Sequence, residues 1–173
     1  MHCHSFPPIA SADSWVLILG TMPGKVSLRE RQYYAHPQNA FWRITAEILG
    51  FDAASAYPVR VSSLKAHGVA VWDVLKSCTR AGSLDSDIDT STLVPNDFRR
   101  FFATHPHVRR VCFNGAKAAA LYARYVQPHL RGVPAVEHLR LPSTSPANAA
   151  IPRADKLRAW RVIRRAAQSR VRA

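Results

Sequence analysis

The sequence predicts an α/β fold in which helices cover both faces of a parallel sheet. Four short, nearly continuous apolar runs, partly β-branched, have the pattern of strands that are buried on both faces. These runs are residues 15–19, 69–72, 109–113 and 136–141. Helical patterns lie between or after them, at residues 39–49, 96–103, 116–126 and 154–168. Alternation of strands with helices is typical of a parallel sheet between helical layers.

The first helical pattern has its apolar residues at helical spacing. Phe41, Ile44 and Ile48 recur as one face of a helix would require. Gly50 follows in the position where many helices end. We therefore expect a helix that starts near Asn39 and stops before this glycine.

Each predicted strand runs into small, polar or bend-forming residues. The first is followed by GTMPG, the second by Asp73, the third by Asn114 and Gly115, and the fourth by PSTSPAN. The ligand crevice of an open parallel sheet lies outside the carboxyl ends of its strands, so we expect the working site at this edge. Residues 79–95 are polar and rich in Gly, Asp and Ser, and we expect them to form a loop on the same face.

Length and composition are those of one globular domain. The 173 residues suit a single domain, residues 1–173, and a hydrophobic fraction of 47% is enough for a sizeable core. No apolar run is long enough to span a bilayer, and the first ten residues, MHCHSFPPIA, lack a secretory pattern. We therefore expect a cytoplasmic protein.

The cysteines and histidines do not form a recognisable framework. Three scattered cysteines argue against disulfides and against an iron–sulfur site. His2, Cys3 and His4 lie together at a chain end without a distant partner, so we expect no metal site. We expect no other cofactor.

The formal net charge of +13 favours a polyanionic partner. The last helical pattern contributes to it. Its apolar stripe consists of Leu157, Trp160, Ile163 and Ala167. Its basic face consists of Arg158, Arg161 and Arg165. This face is either solvated or in contact with phosphates, and the charge surplus of the whole chain favours phosphates.

Several reaction classes lack their motifs. GTMPGK does not have the glycine spacing of a phosphate loop, and the first strand is followed by GxxxG, not by the dinucleotide pattern GxGxxG. No nucleophile-elbow motif is present, and most acidic residues lie away from the strand ends. A basic protein with flat rings, amides and glycine-rich turns at one edge suits a flipped nucleobase, which needs stacking, edge hydrogen bonds and phosphate contacts.

Three motifs at this edge resemble those of the uracil-DNA glycosylase superfamily: GTMPG, YAHPQNAFW and LPSTSPAN. The fuller pattern is similar to its hypoxanthine-DNA (deoxyinosine) glycosylase branch, which is related to the mismatch-specific uracil/thymine DNA glycosylases. It includes FPPI at residues 6–9, WDVLKSC followed by GSLDSDI, and FNG before a helix. The resemblance implies a three-layer α/β/α fold with a central four-stranded parallel sheet. It also implies base-excision DNA repair by base flipping and water attack at the anomeric carbon, without a metal or a Schiff-base lysine.

Two positions depart from related branches. Met22 stands where the mismatch-specific enzymes have an essential asparagine, and Ser143 stands where a histidine or asparagine is usual. The resemblance therefore implies that Asn39 is catalytic and that the substrate is hypoxanthine more than uracil. The alternatives are a uracil-DNA glycosylase of broader specificity and a catalytically inactive nucleic-acid-binding module.

Asn39 is expected to hold the attacking water beneath the sugar, or else to cap the helix that follows it. The residues that the resemblance implies for base binding are Thr21, Met22, Tyr33, Tyr34, Asp73 and Asn114. Tyr34 would stack on the base, with Tyr33 on the same wall, unless both rings are core. Asp73 would accept the N1–H of hypoxanthine, unless it caps the next turn.

Asn114 would complete the reading of the base edge, or support the turn at Gly115. The residues implied for contacts with DNA phosphates are Gly24, Lys25, Ser143, Thr144, Ser145 and Pro146. The last four form either a phosphate-gripping loop or a polar turn without a ligand. The partner is DNA that contains deaminated bases, and we expect a monomer.

Overall fold

The computed structural model describes residues 1–82 and 84–164. Its strands are β1 His2–His4, β2 Val16–Gly20, β3 Val69–Asp73, β4 Leu75–Arg80, β5 Ile88–Pro95, β6 Arg110–Asn114 and β7 Glu137–Leu141. Its α-helices are α1 Lys25–Glu30, α2 Phe41–Leu49, α3 Tyr57–Ala66, α4 Phe98–Thr104, α5 Ala116–Tyr125 and α6 Arg153–Trp160. In the described part of the chain, no helix has both the length and the apolar character needed to cross a membrane.

The central sheet is parallel and has the strand order β3-β2-β6-β7. Every residue of β2 and β3 is buried, which explains why these strands read as apolar runs. Gly20 pairs with Asp73, and Asn114 pairs with Leu141, so the four strands end at one edge. The predicted α/β fold with four parallel strands is confirmed.

Aromatic side chains pack into two groups against this sheet. One group joins α2 to α6, where the ring of Phe41 lies 5.9 Å from that of Trp160. The other joins β3 to α4, where Trp72 lies 5.1 Å from Phe98 and 5.3 Å from Phe101. All five rings are at least 92% buried, so the sheet is held between hydrophobic contacts with several helices.

The prediction that residues 79–95 form a loop is wrong. β4 and β5 pair as an antiparallel hairpin, with a 3₁₀ turn at Asp85–Asp87 between them, and β1 pairs with the other edge of β4. Most residues of β5 are exposed or half-buried, so their polar side chains face solvent and hide the strand pattern. The hairpin brings its connecting turn to the carboxyl edge of the parallel sheet.

The last helix confirms part of its predicted stripe. Trp160 and Ile163 are fully buried, and Trp160 Nε1 donates to the carbonyl of Pro142 at 2.9 Å. Arg158 and Arg161 are exposed. Ala167, Arg165 and the predicted helix end at residue 168 lie outside the described residues.

Candidate active site

A cleft of about 900 Å³ opens at the carboxyl edge of the parallel sheet. All the residues that the sequence places in the site line this one cleft: Thr21, Met22, Gly24, Lys25, Tyr33, Tyr34, Asn39, Asp73, Asn114, Ser143, Thr144, Ser145 and Pro146. They come from five separate stretches of chain. The parallel sheet brings these stretches together because its strands end side by side.

Asn39 lies directly before α2, and its side chain is fixed there. Its Oδ1 accepts a hydrogen bond from the N–H of Phe41 at 3.0 Å, and its own N–H donates to the carbonyl of His36 at 2.8 Å. The helix-capping interpretation is therefore correct for one lone pair of Oδ1. Among residues 1–82 and 84–164 the bond from Phe41 is the one hydrogen bond of the Asn39 side chain, and Asn39 is half-buried and lines the cleft, so its remaining polar groups can bind a ligand there.

Tyr34 is positioned by stacking on another aromatic ring and by a left-handed backbone conformation. Its ring stacks on Phe41 with a centroid separation of 3.9 Å and an interplanar angle of 20°. Its φ of 55° is left-handed, which is unusual for a large residue and costs roughly 1–2 kcal/mol. Burial and the nearby charge of Asp73 raise the pKa of the phenol, so the ring stays neutral at physiological pH.

Tyr33 fits the core interpretation better than a base-contacting role. It is 3% exposed, and its hydroxyl donates to the carbonyls of Phe6 and Pro7 at 3.1 and 3.2 Å. Trp42 Nε1 donates to the carbonyl of Tyr33 at 2.9 Å. Tyr33 thus lines the cleft with a buried ring and anchors the N-terminal segment through its hydroxyl.

Asp73 ends β3 as a buried carboxylate, 3% exposed. Its Oδ2 accepts a hydrogen bond from Ser5 Oγ at 2.7 Å. Its Oδ1 faces Gly20 so closely that a Cβ on this glycine would lie 2.6 Å away. Desolvation raises the pKa of Asp73 to about 7; the hydrogen bond from Ser5 opposes this shift and the charge of Asp85 adds to it. Within the described residues the one hydrogen bond of its side chain is that from Ser5, which gives no support to the capping alternative.

The family comparison matches the uracil DNA glycosylase superfamily over residues 7–164. The chain belongs to the uracil DNA glycosylase superfamily. A protein from Methanosarcina acetivorans named hypoxanthine DNA glycosylase is 38% identical over 144 residues, which cover 83% of this chain and 86% of the relative. A protein of the same name from Methanosarcina barkeri is 39% identical over 119 residues, covering 68% of this chain and 74% of the relative.

A solved structure shares the superfamily fold. It is the solution NMR structure of a candidate uracil DNA glycosylase from Methanosarcina acetivorans. It superposes with a TM-score of 0.80 at 35% identity, and the alignment covers 96% of this chain and 99% of that one.

Two direct hydrogen bonds join Asn114 and Thr144, which both line the cleft. Asn114 Nδ2 donates to Thr144 Oγ1 at 2.9 Å, and the N–H of Thr144 donates to Asn114 Oδ1 at 2.8 Å. The carbonyl of Thr144 accepts from the N–H of Ala40 at 3.0 Å, and Thr144 is 1% exposed. The polar groups of Thr144 are thus buried and paired within the protein, which favours a structural role, and its contact with a DNA phosphate stays a prediction. Residues 142–148, which follow β7, are called the late loop. The bonds of Asn114 and Thr144 position this loop against the start of α2.

The rest of the late loop is more open. Ser143 Oγ accepts the N–H of Ser145 at 3.2 Å, and Ser145 Oγ accepts the N–H of Ala147 at 3.2 Å. Ser143 packs on Gly115, where a Cβ would lie 3.0 Å from Ser143 Cβ. The φ of 102° at Gly115 favours glycine as well. The turn at Gly115 thus favours glycine, and the hydrogen bonds of the Asn114 side chain go to Thr144 and not to this turn.

Sequence reasoning missed four glycosylase residues near the cleft. Asp85, Lys117 and Arg140 line it, and Arg80 is buried beside it with 1% exposure. Asp85 Oδ2 accepts from Thr21 Oγ1 at 2.9 Å, and Arg80 Nη2 donates to the carbonyl of Pro23. The motif GSLDSDI contains Asp85, but the sequence predicts only a loop on the working face and assigns no role to this residue.

No metal site accompanies these residues. Across residues 1–82 and 84–164, no three side chains of His, Cys, Asp or Glu converge in a way that could hold an ion. Cys3 is buried on β1 between the exposed His2 and His4. It pairs in register with Cys78 on β4. These two cysteines are free thiols.

Proposed function

We propose that this superfamily member is a monofunctional DNA glycosylase that removes hypoxanthine from deoxyinosine. The observation that carries the proposal is the convergence of one ring, one amide and one carboxylate on a single cleft: Tyr34, Asn39 and Asp73. Two relatives at 38% and 39% identity carry the name hypoxanthine DNA glycosylase, which supports the same substrate.

The flipped base stacks on the ring of Tyr34. A base–aromatic stack contributes roughly 1–3 kcal/mol and is tolerant of base identity, so it serves to hold the base and not to select it. Phe41 supports the ring from the opposite side at 3.9 Å, which keeps its plane fixed when a base arrives. The stack compensates in part for the unpairing and unstacking that base flipping requires.

Asn39 holds the water that attacks the anomeric carbon. As the glycosidic bond breaks, its electron pair goes to the base and the sugar acquires oxocarbenium character. A cation-like sugar needs a positioned water more than a strong base, so an amide is sufficient. The bond from Phe41 N–H to Oδ1 fixes the amide plane, and the second lone pair of Oδ1 accepts a proton of the water.

Asp73 selects the base by its edge. In its ionised form, the carboxylate accepts the N1–H of hypoxanthine, and it would accept the N3–H of uracil in the same way. Adenine presents a lone pair at N1, so an ionised Asp73 would face it without a hydrogen bond, which is unfavourable in a buried site. This contact favours deaminated adenine over adenine itself.

The flanking phosphates bind around the rim. The cleft-lining residues that are exposed or half-buried and that the DNA backbone would cross form what we call the cleft rim: Gly24, Lys25, Ser143, Ser145 and Pro146. Lys117 and Arg140 add positive charge to the same cleft. The net charge of +13 supports a partner with many phosphates. We propose that the whole chain acts as one domain and as a monomer.

The test is an excision assay on labelled duplexes that contain inosine, uracil or xanthine at one position. Alkali cleaves the strand at each abasic site, so the length of the product reports base removal. We expect cleavage of the inosine strand with a rate above that of the uracil strand. Faster release of uracil would favour the glycosylase of broader specificity. DNA affinity without an abasic product on any of the three would leave only a binding module.

A further inference from the structure

Asp85 places a second carboxylate in the cleft beside Asp73. It lies in the turn between β4 and β5, where Oδ2 accepts from Thr21 Oγ1 at 2.9 Å. Thr21 directly follows Gly20, where an added Cβ would lie 2.6 Å from Asp73 Oδ1. The two carboxylates therefore lie close to the successive residues Gly20 and Thr21, and both line the cleft. We call Asp73 and Asp85 the carboxylate pair.

One buried cation lies next to the carboxylate pair. Arg80 is 1% exposed, and Nη2 donates to the carbonyl of Pro23. Its Nε and Nη1 are buried without a hydrogen-bond partner in the part of the chain that the structure describes. One guanidinium with one ionised and one protonated carboxyl has no net charge, and a buried cluster favours neutrality because burying an excess charge is unfavourable.

Other charged or titratable groups also face the pair. Lys117 on α5 acts on Asp85, and the phenols of Tyr33 and Tyr34 and the thiol of Cys78 lie nearby. Burial raises the pKa of each phenol and of this thiol, so these three groups are neutral near pH 7. Lys117 is half-buried, so solvent screens its charge more than that of Arg80.

We propose that Asp73 and Asp85 share a single proton and together read two adjacent atoms of the flipped base, with Asp73 accepting N1–H and Asp85 donating to O6. This inference rests on the proposed function and adds a second base-reading residue to it. In uracil, the N3–H and O4 atoms form the same adjacent pair. Once the base is bound, Asp85 keeps the proton and contributes a hydrogen bond, not a proton transfer.

The protonation of the pair suits this division of roles. Desolvation raises the pKa of Asp73 to about 7, and the charge of Asp85 adds to the shift. Burial also raises the pKa of Asp85, although Thr21, Arg80 and Lys117 oppose this. A hydrogen bond from N1–H to Asp73 stabilises its ionised form, so base binding moves the shared proton to Asp85.

A donor at O6 also assists bond cleavage. When the N9–C1′ bond breaks, its electron pair enters the purine and part of the negative charge reaches O6. A preorganised donor at such an oxygen is a large contributor to catalysis, and removal of one costs on the order of 100-fold or more in rate. Asp85 would be that donor, in place of the histidine or asparagine that Ser143 replaces.

The pair predicts a bell-shaped pH profile for wild-type kcat/KM. At low pH both carboxyls are protonated, so Asp73 no longer accepts N1–H. At high pH both are ionised, so O6 loses its donor and meets a negative charge. The rate constant therefore falls on both sides, and the descending limb lies near pH 7, where the pKa of Asp73 lies in the free protein.

The deciding experiment is the pH profile of Asp85→Asn on inosine-containing duplex. The amide donates to O6 at every pH, and loss of the neighbouring charge lowers the pKa of Asp73. We expect the descending limb to disappear and the ascending limb to stay near its wild-type position, because Asp85 is already uncharged on that limb. Asp85→Leu has no donor at this position, and we expect its kcat/KM to fall on the order of 100-fold or more at all pH values. Asp89 is exposed and lies outside the cleft, so Asp89→Asn should keep the bell-shaped pH profile of the wild type.

A readout without DNA complements this assay. In ¹³C NMR of the full chain, the carboxyl carbons of Asp73 and Asp85 should titrate together in two steps, and Asp73 in Asp85→Asn should titrate once at lower pH. An unchanged bell in Asp85→Asn, or an Asp73 titration that ignores this substitution, would overturn the shared proton. If the wild-type chain released no hypoxanthine, the proposed function and the base-reading role would both fail, and NMR would still decide whether the proton is shared.

Discussion

In the proposed mechanism Asn39 has two hydrogen-bonding roles on one amide, and they can be separated by measurement. Oδ1 caps the N–H of Phe41 at 3.0 Å, and loss of such a cap costs about 1 kcal/mol of stability. We expect Asn39→Ala to lower the free energy of unfolding by about this amount. Excision of hypoxanthine should fall on the order of 100-fold or more, because the attacking water loses its position.

Urea denaturation and single-turnover kinetics measure the two effects of Asn39→Ala. Gln38→Ala is the matched control, since this neighbouring side chain is exposed and does not line the cleft. Excision by Asn39→Ala at the wild-type rate, in a protein with the expected stability, would refute the catalytic role.

Asp73 should make the folded state less stable as the pH rises. Its pKa is about 7 in the folded protein, well above the ordinary value near 4. Between these two values the folded state binds more protons than the unfolded state, so the free energy of unfolding decreases with rising pH. We expect Asp73→Asn to remove this decrease and to be more stable than wild type at pH 8, by an amount on the order of a few kcal/mol.

Denaturation of Asp73→Asn and wild type at pH 5 and pH 8 checks the sign. The difference between them should be small at pH 5 and should grow toward pH 8. Asp52→Asn, at an exposed position, provides the control. Equal stability of wild type and Asp73→Asn at both pH values would contradict the burial argument.

At the scale of elements, burial decides what the sequence reveals. β2 and β3 are buried at every residue, so their apolar runs predicted them to within one residue at each end. β5 has mostly exposed and half-buried residues, and α3 buries only Leu64, so neither shows a periodic pattern. The site residues at the strand ends could be predicted, whereas the bonds between Asn114 and Thr144 join positions 30 residues apart and follow from tertiary structure alone.

The two loops at the cleft rim each expose a large apolar side chain. Leu84, before the 3₁₀ turn of the β4–β5 hairpin, is 52% exposed, and Ile151, after the late loop, is 37% exposed. Both line the cleft. Apolar side chains can enter a base stack and occupy the space of an extruded nucleotide. We expect Leu84→Ala and Ile151→Ala to slow excision from duplex DNA more than from single strands, where no paired stack must be opened.

The matched control for these two variants is Val59→Ala. Val59 is 53% exposed on α3 and does not line the cleft. The ratio of the duplex rate to the single-strand rate is the quantity to compare. If this ratio stays at the wild-type value in both variants, neither Leu84 nor Ile151 enters the base stack.

At the scale of the whole molecule, we expect the charge of +13 to strengthen DNA binding. Each phosphate that a protein neutralises releases counterions, so log Kd depends linearly on log salt concentration. Arg140 is exposed and lines the cleft, whereas Lys65 is exposed on α3 and does not line it. Since the proposed DNA path crosses the cleft rim, only the first of these cations should contribute to the salt slope.

We expect Arg140→Gln to reduce the magnitude of the salt slope by about one, and Lys65→Gln to leave it unchanged. Fluorescence anisotropy with inosine-containing duplex, titrated over a range of salt concentrations, measures both slopes. The Asn39→Ala background prevents turnover during the titration. Because the contact is with the backbone, the loss should be the same for duplexes with and without inosine. A base-dependent loss would place Arg140 against the base instead, and an equal loss from Lys65→Gln would spread the DNA path beyond the cleft rim.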